Sequence, residues 1–421
     1  MARRRSRRSI IVALATLGCA AGISIPVTSA GAARATITIG FVGDLTGSAA
    51  SSFADGPGGA QARIDLQNAQ GGVNGHKLKL VVVDDQSSPT DEVTAVQDLV
   101  STHHVFGIVS DSAYSFAGVK YEHAEGVPET NVCPCAPTYA EQPYTNTFNY
   151  GGFASPTVFN GVTYGTTTTV KFLKDIGVTK LAGFAYGVSP GSTNQIIDLF
   201  AEAKKVGGVA NCLEDLSVPY GGVDFTAANL EMKSGGCNGL ATSFVDSSDV
   251  AMSQAVKNAG LDVKQVYFTG YDNDVVSSAA DEHAFDGAYV SSPINFSTPN
   301  GPVKRMLGTL QKYDHSFTGG IPDYGLSGSY IATDLMIKGL ELAGANPTRA
   351  AFIKNLRNLS SYDAGGILPT TVSFRNFGTP KMLPKTDCSY FMQLKGKQFV
   401  AYGGRPVCGT TIVIPSSASS P

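Results

Sequence analysis

The 421-residue chain carries 31 basic and 34 acidic side chains, and only 15% of it is charged. An acidic balance without a basic stripe excludes a nucleic-acid surface. No segment after the N-terminal stretch reaches the roughly 20 apolar residues of a membrane helix. Gly, Ser and Thr fill the place of the missing charge, so the partner of this surface need not be strongly charged itself.

The chain opens on an address. Arg3, Arg4, Arg5, Arg7 and Arg8 precede an apolar run from Ile10 to Ala21, and Ala30-Gly31-Ala32 forms an A-x-A cleavage site. Residues 1–32 therefore read as a signal peptide, whose apolar part is too short for a membrane span. Ser6-Arg7-Arg8-Ser9-Ile10-Ile11 resembles a twin-arginine signal, the alternative to ordinary secretion. Cys19 follows Gly18 as a lipidated cysteine would, although Thr16 stands where a lipobox prefers Leu. Cleavage after Ala32 removes five basic residues and no acidic one, leaving 26 against 34 and a net charge of −8. The mature chain is expected to be exported: secreted, periplasmic or at the cell surface.

The rest alternates. Thr36 to Val42 is a β-branched strand, a helical stretch runs from about Ala60 to Ala69, and Leu78 to Val83 is a second strand ending in Asp84-Asp85. Pro89 opens a helix with Val93, Val96 and Val100 on one face. Val105 to Val109 is a third strand and Ser112 to Glu125 its helix. A second block then repeats the pattern. Its helices are Ser155 to Ile176, Ser192 to Val206, about Phe225 to Lys233 and Ser248 to Ala259; its strands are Lys180 to Tyr186, Leu213 to Val218, Leu240 to Val245 and Val266 to Thr269. Three helices without an intervening strand follow, at Pro302 to Tyr313, Leu326 to Ala343 and Thr348 to Leu356. The segment Thr371 to Phe374 and strands near Tyr390 to Leu394 and Phe399 to Tyr402 finish the fold, before a tail at 416–421 that should be disordered.

Continuous apolar strands between amphipathic helices predict parallel sheets covered on both faces. Roughly 375 to 390 mature residues exceed one growing core, so the fold class is α/β with two doubly wound parallel-sheet lobes. Seven cysteines are present. Setting Cys19 aside leaves Cys133/Cys135, Cys212/Cys237 and Cys388/Cys408, and in an exported chain the last two pairs read as disulfides. Cys133-Pro134-Cys135 admits a soft metal, a local disulfide or two thiols. No histidine cluster accompanies it, so neither a metal nor a cofactor is expected.

Four landmarks stand in order: Ile39-Gly40-Phe41-Val42-Gly43-Asp44-Leu45-Thr46-Gly47, Gly71-Gly72-Val73-Asn74-Gly75-His76-Lys77-Leu78, Asp84-Asp85 with Pro89, and Glu125-Gly126-Val127-Pro128. In that order they resemble the type I periplasmic binding proteins, in the leucine/isoleucine/valine-binding branch that serves ABC importers. The resemblance covers 36 to about 405. It implies three chain crossings, near Phe153, Ile294 and Gly365, forming a three-segment hinge. Lobe one would be 36–153 plus 295–365, and lobe two 154–294 plus 366–415. The late helices would then return to cover the first sheet. The implied activity is hinge closure on a small polar molecule, an amino acid or a related carboxylate or amide. The implied partner is an ABC transporter permease, with the binding protein itself a monomer.

Ligands of open parallel sheets bind beyond the carboxyl ends of the strands. Ser110-Asp111-Ser112-Ala113-Tyr114 follows the third strand there, with amides and hydroxyls able to hold a carboxylate or another polar oxygen. The resemblance puts Ser112 on the family's carboxylate-binding serine and Asp272 on the acid that takes an ammonium. The plainer readings are a helix cap for Ser112 and a solvated loop residue for Asp272. Ala113, Tyr114, Ala136, Thr138, Ser189 and Tyr271 complete the expected ligand-binding set. Departures weaken the amino-acid clamp: Pro137 lacks an amide hydrogen in the second carboxylate loop, and family tyrosines are replaced near Gly191 and Val245.

Gly187-Val188-Ser189-Pro190-Gly191 is a literal G-x-S-x-G between a strand and a helix, with His283 and His315 downstream. A nucleophile elbow needs a backbone N–H from the residue after the serine, and Pro190 has none. A serine hydrolase is thus the weaker reading, and Ser189 is expected to touch ligand or cap the helix. Adjacent His103-His104 diverge on a helix and read as solvated. Two non-enzymatic roles remain: delivery of a solute to an importer, or a sensory module reporting it to a partner protein.

Overall fold

The computed structural model describes residues 34–133, 140–151 and 157–415. The signal peptide with Cys19, the crossing near Phe153, and Cys135, Ala136, Pro137, Thr138 and the 416–421 tail lie outside the described residues.

The first sheet is parallel throughout. It is built from β1 (Ile37–Gly43), β2 (Leu78–Asp84), β3 (Gly107–Asp111), β4 (Glu129–Asn131) and β5 (Thr147–Asn149), in the order β2-β1-β3-β4-β5. Period-2 alternation splits its core. Ile39 and Phe41 face the helices α1 (Ala50–Phe53) and α2 (Gly56–Ala69), whereas Val42 packs with α3 (Pro89–Ser101). Beyond β3 the expected helix from Ser112 is broken: a 3-10 turn at Ser115–Ala117 precedes a short α4 (Val119–Ala124). The Ser112 hydroxyl takes the Tyr114 N–H at 2.9 Å, a local bond that competes with the helical ladder.

The second sheet departs further from expectation. Its strands are β6 (Thr157–Phe159), β7 (Val162–Thr166), β8 (Lys180–Tyr186), β9 (Ala210–Val218), β10 (Gly239–Ser243), β11 (Lys264–Tyr267), β12 (Tyr289–Ser292), β13 (Thr386–Lys395), β14 (Gln398–Ala401) and β15 (Val407–Ile414). They run β6-β7-β15-β13-β12-β11-β10-β8-β9, with β14 on β13. The five from β12 to β9 are parallel, but β13, β15, β7 and β6 are joined by antiparallel pairings, so the sheet is mixed. The helix expected over Ser155 to Ile176 is a hairpin followed by α5 (Thr168–Asp175). Asn160 and Gly161 take φ of 50° and 76°, the left-handed pair that a two-residue hairpin turn requires. Helices α5 and α6 (Pro190–Val206) cover one face of this sheet, and α7 (Thr226–Gly235), α8 (Asp246–Asn258) and α9 (Ala279–Phe285) the other.

Both expected disulfides form. Cys212 of β9 joins Cys237 just past α7, and Cys388 joins Cys408 across the paired β13 and β15, each with S–S 2.07 Å. Cys133 is disulfide-bonded as well. Val372, in the expected closing segment, makes only an isolated bridge to Tyr362.

The late helices α10 (Gly301–Tyr313), α11 (Tyr324–Ala343) and α12 (Arg349–Leu356) do return to the first sheet: α10 and α11 pack on α2, α11 also meets β3 and β4, and α12 lies on α11. Small residues allow the approach. A Cβ on Gly59 of α2 would stand 2.0 Å from the Leu326 carbonyl oxygen, and one on Gly328 would stand 2.3 Å from Val132. At the end of α12, the Arg357 guanidinium lies 4.1 Å from the Phe148 ring centre and 3.8 Å from that of Phe377. It donates to the Thr145 carbonyl at 2.8 Å and to that of Thr147.

Two substitutions test this packing in a denaturation experiment. Gly59→Ala meets backbone rather than a yielding side chain, so it should cost about 1–3 kcal/mol. Arg357→Ala leaves two carbonyls without their charged donor and should cost about 2–3 kcal/mol. Arg357→Lys should recover less than half of that, because an ammonium cannot stack between two rings while serving two carbonyls.

Candidate functional site: an aromatic cleft

Strands in parallel register end together. Gly43 at the end of β1 is paired with Asp84 on one side and Asp111 on the other, so Asp44, Asp84, Asp85 and Asp111 gather at one edge of the first sheet. Asp44 accepts the Ala113 N–H at 2.7 Å. Asp85 accepts the Ser87 N–H at 2.9 Å and the Ser112 hydroxyl, and Asp111 accepts the Ser329 hydroxyl of α11 at 2.7 Å. The loop after β3 is thereby tied down from below by carboxylates. It presents Ala113 and Tyr114 outward.

From Tyr114 an aromatic column runs into the second body. Its ring centre is 5.5 Å from that of Tyr220, Tyr220 stacks on Tyr186 at 4.2 Å, and Tyr186 stacks on Phe244 at 4.6 Å. Each second-sheet member sits where a parallel sheet offers it, at or just past the carboxyl end of a strand: Tyr186 closes β8, Tyr220 follows β9 and Phe244 follows β10. The Tyr186 hydroxyl accepts the Val245 N–H at 3.2 Å, which fixes the ring.

A cavity of about 320 Å³ opens against this column. Phe53, Ala113, Cys133 and Tyr324 line it from the first-sheet side, and Tyr186, Ser189, Gly191, Tyr220, Phe244, Val245 and Thr269 from the other. It continues along one face of α6, past Ser192, Gln195, Asp198 and Glu202, to Thr166 and Asp387. Spacings of three and four residues place those α6 side chains in one row. Among the described residues no Lys, Arg or His lines it.

Two of the expected ligand residues, Ala113 and Ser189, line the cavity directly. Ser112 and Tyr114 flank Ala113, with the Ser112 hydroxyl engaged by Asp85. Tyr271 and Asp272 lie off this wall. The Tyr271 hydroxyl is 3.0 Å from that of Ser297, and Asp272 accepts the Val275 N–H at 3.0 Å. Ala136 and Thr138 are outside the described residues. Ser189 is the N-cap of α6, accepting the Ser192 N–H at 3.3 Å, with Pro190 in the first turn. Sequence reasoning missed Phe53, Tyr186, Tyr220, Phe244 and Tyr324; the position of Tyr186 and Phe244 at strand ends was the available signal.

The two bodies touch beside the cavity. Ser52 of α1 accepts the Asp246 N–H at 3.1 Å, and Asn273 exchanges hydrogen bonds with Gly319 and Ile321. Behind the contact are buried acids. Asp246 and Asp272 lie side by side, each acting on the other's carboxyl. Burial pushes the Asp272 carboxyl well up, with the Asp246 charge adding to it. Burial likewise lifts Asp246 to about 7 and Asp249 to about 8. Asp44, Asp111, Glu92, Glu122 and Glu202 are raised by the same desolvation. Asp84 goes the other way: although burial pushes upward, the Thr46 hydroxyl and the amides of Gln86, Thr46 and Leu45 hold it below the ordinary value.

A family model described as "Periplasmic binding protein" matches residues 36–398. A curated protein of Brucella melitensis, "Leu/Ile/Val-binding protein homolog 3", is 25% identical over 339 residues, covering 78% of this chain and 85% of that one. Among solved structures, an ABC-transporter solute-binding protein of R. palustris in complex with benzoate superposes with a TM-score of 0.71 at 16% identity, covering 90% of this chain and 98% of that chain. The branched-chain amino acid transporter substrate-binding protein LivJ of Streptococcus pneumoniae, in complex with isoleucine, gives 0.69 at 18% identity, covering 89% and 99%.

The buried acids fix the sign of a pH effect. A carboxyl whose folded pKa exceeds its unfolded value of about 3.9 keeps a proton that the unfolded chain releases, so stability falls as pH rises between the two. With Asp246 near 7 and Asp249 near 8, the window runs from about 4 to about 8. The melting temperature of the ligand-free protein should therefore be higher at pH 5 than at pH 8. Asp246→Asn, which removes one of these titrations, should flatten the slope; an unchanged slope would show that Asp246 does not hold its proton.

Proposed function

This chain belongs to the periplasmic binding protein family, and on that premise we propose that its two bodies close on a small solute outside the cytoplasm. The solute is then handed to the permease of an ABC importer. One observation carries the reading: a single cavity is lined by residues from both sheets, so a molecule bound there stabilises the closed arrangement over any in which the two walls separate. The lobes are taken as 36–153 plus 295–365 and 154–294 plus 366–415, hinged where the chain crosses between them. Ala113 and Ser189 are the proposed direct contacts, joined by Tyr186 and Tyr220. Ser112 braces the loop that carries Ala113, Tyr114 anchors the aromatic column, and Tyr271 and Asp272 support the wall from behind. Ala136 and Thr138 stay in the proposed set on the strength of the sequence.

The R. palustris protein is in complex with benzoate and the pneumococcal one with isoleucine, so cargo on this fold varies. Export by a signal peptide and two disulfides fit a receptor that works outside the cytoplasm.

A thermal-shift screen of amino acids, amides, amines, small carboxylates and polyols tests the proposal. A ligand at a hundredfold excess over its Kd should stabilise the fold by about 2.7 kcal/mol. Tyr220→Ala should weaken the hit at least about tenfold while the protein stays folded. Small-angle scattering should show the radius of gyration contracting or holding on addition of the hit; no hit in any class, or a hit indifferent to Tyr220→Ala, would remove the cavity from consideration.

A further inference from the structure

Resting on the solute-binding reading above, we infer that the solute is an uncharged ring-bearing carbonyl compound, such as an aromatic amide, and that Gln195 selects it. The ring follows from the wall. Tyr186, Tyr220 and Phe244 form a stacked apolar face of the cavity, and Phe53 and Tyr324 meet edge to face at 5.6 Å on the first-sheet side. A flat body fills the slot between such faces better than a branched aliphatic chain.

The lack of charge follows from what the cavity can answer. No lysine, arginine or histidine lines it among the described residues, and residues 134–139 and 152–156 contain none in sequence. The amides that could hold an anion are spent. Asp44 takes the Ala113 N–H, the Ser189 hydroxyl that of Ser192 and the Ser189 carbonyl that of Thr193. Pro190 has no N–H, so the first turn of α6 keeps only that of Gly191. A cation fares no better. Glu202 accepts the Thr166 N–H at 2.6 Å, Asp387 accepts the Thr168 hydroxyl at 2.9 Å, and Asp198 is engaged within the protein. Burial raises the carboxyls of Glu202 and Asp387 toward their neutral forms. A tyrosine face returns less to an ammonium than its desolvation costs.

What the cavity does hold is a positioned neutral donor. Gln195 stands half-buried in the α6 row, and the Ser243 hydroxyl donates to its Oε1 at 2.7 Å. Ser192 fixes that strand end in turn, its hydroxyl taking the Tyr186 N–H at 2.9 Å and donating to the Ser243 carbonyl. With Oε1 held, the two Nε2 hydrogens are left, and among the described residues nothing accepts them. Their complement is a neutral oxygen carried on a ring, and an amide or ketone carbonyl supplies it without bringing a charge into the cavity.

Four probes sharing one ring separate these features: benzamide, toluene, benzoate and benzylamine, titrated calorimetrically into the mature full chain at pH 7. Benzamide should bind at least about tenfold tighter than toluene, and neither ion should bind detectably. Gln195→Leu nearly keeps the volume and removes the donor, so it should narrow the benzamide-over-toluene ratio about tenfold while toluene binding holds. Gln195→Met supplies the same test if Gln195→Leu does not fold. Benzoate or benzylamine binding as tightly as benzamide, or a ratio unmoved by loss of the amide, overturns the inference. If none of the four binds while the broader screen yields another solute, the carbonyl compound is wrong and the receptor reading stands. If the whole screen is blank, both fall.

Discussion

Parallel strands in register must end at one edge, and in the first sheet that edge is crowded with aspartates. Three of them, Asp44, Asp85 and Asp111, are buried and must find donors within the protein. Asp44 takes the Ala113 amide and Asp85 the Ser112 hydroxyl, while Asp111 turns to Ser329 and fastens α11 to the same edge. The consequence is geometric. A loop that would otherwise continue as helix is pulled flat, and Tyr114 is delivered to the second body.

Everything on the far side is arranged against that ring. Tyr220, Tyr186 and Phe244 come from three successive strand ends, in the sheet order that places β10, β8 and β9 side by side. Each offset aromatic pair adds about 0.5–1.5 kcal/mol beyond its buried area. The column therefore couples the two walls of the cavity: it is strongest when they are close, which is also when a bound solute is covered. The serine contacts at Ser52 and Ser51 mark the same approach on the next edge.

Much of this was legible, and the misreadings have physical causes. Unbroken apolar runs ending in Asp or Tyr announced parallel strands, and the late strandless helices announced their own return to the first sheet. The hairpin at 157–166 was missed because its threonines were taken into a helical stretch. The Asn160-Gly161 pair was the contrary signal, since few other dipeptides accept two left-handed residues. β15 was missed although one pairing partner, β13, is near it; the other, β7, is far away in sequence. Ser112 illustrates a deeper limit. Sequence order places a serine at the cleft; only the fold reveals that its hydroxyl faces Asp85. The aromatic column was invisible for the same reason, being assembled from residues 130 positions apart at its ends, Tyr114 and Phe244.

The acids beside the cleft carry a cost that bears on function. Asp246 and Asp272 are buried against one another, and burial raises the carboxyl of each. An asparagine or a small apolar residue at either place would relieve the desolvation of an ionisable group. A fold that only had to stand would gain by losing them.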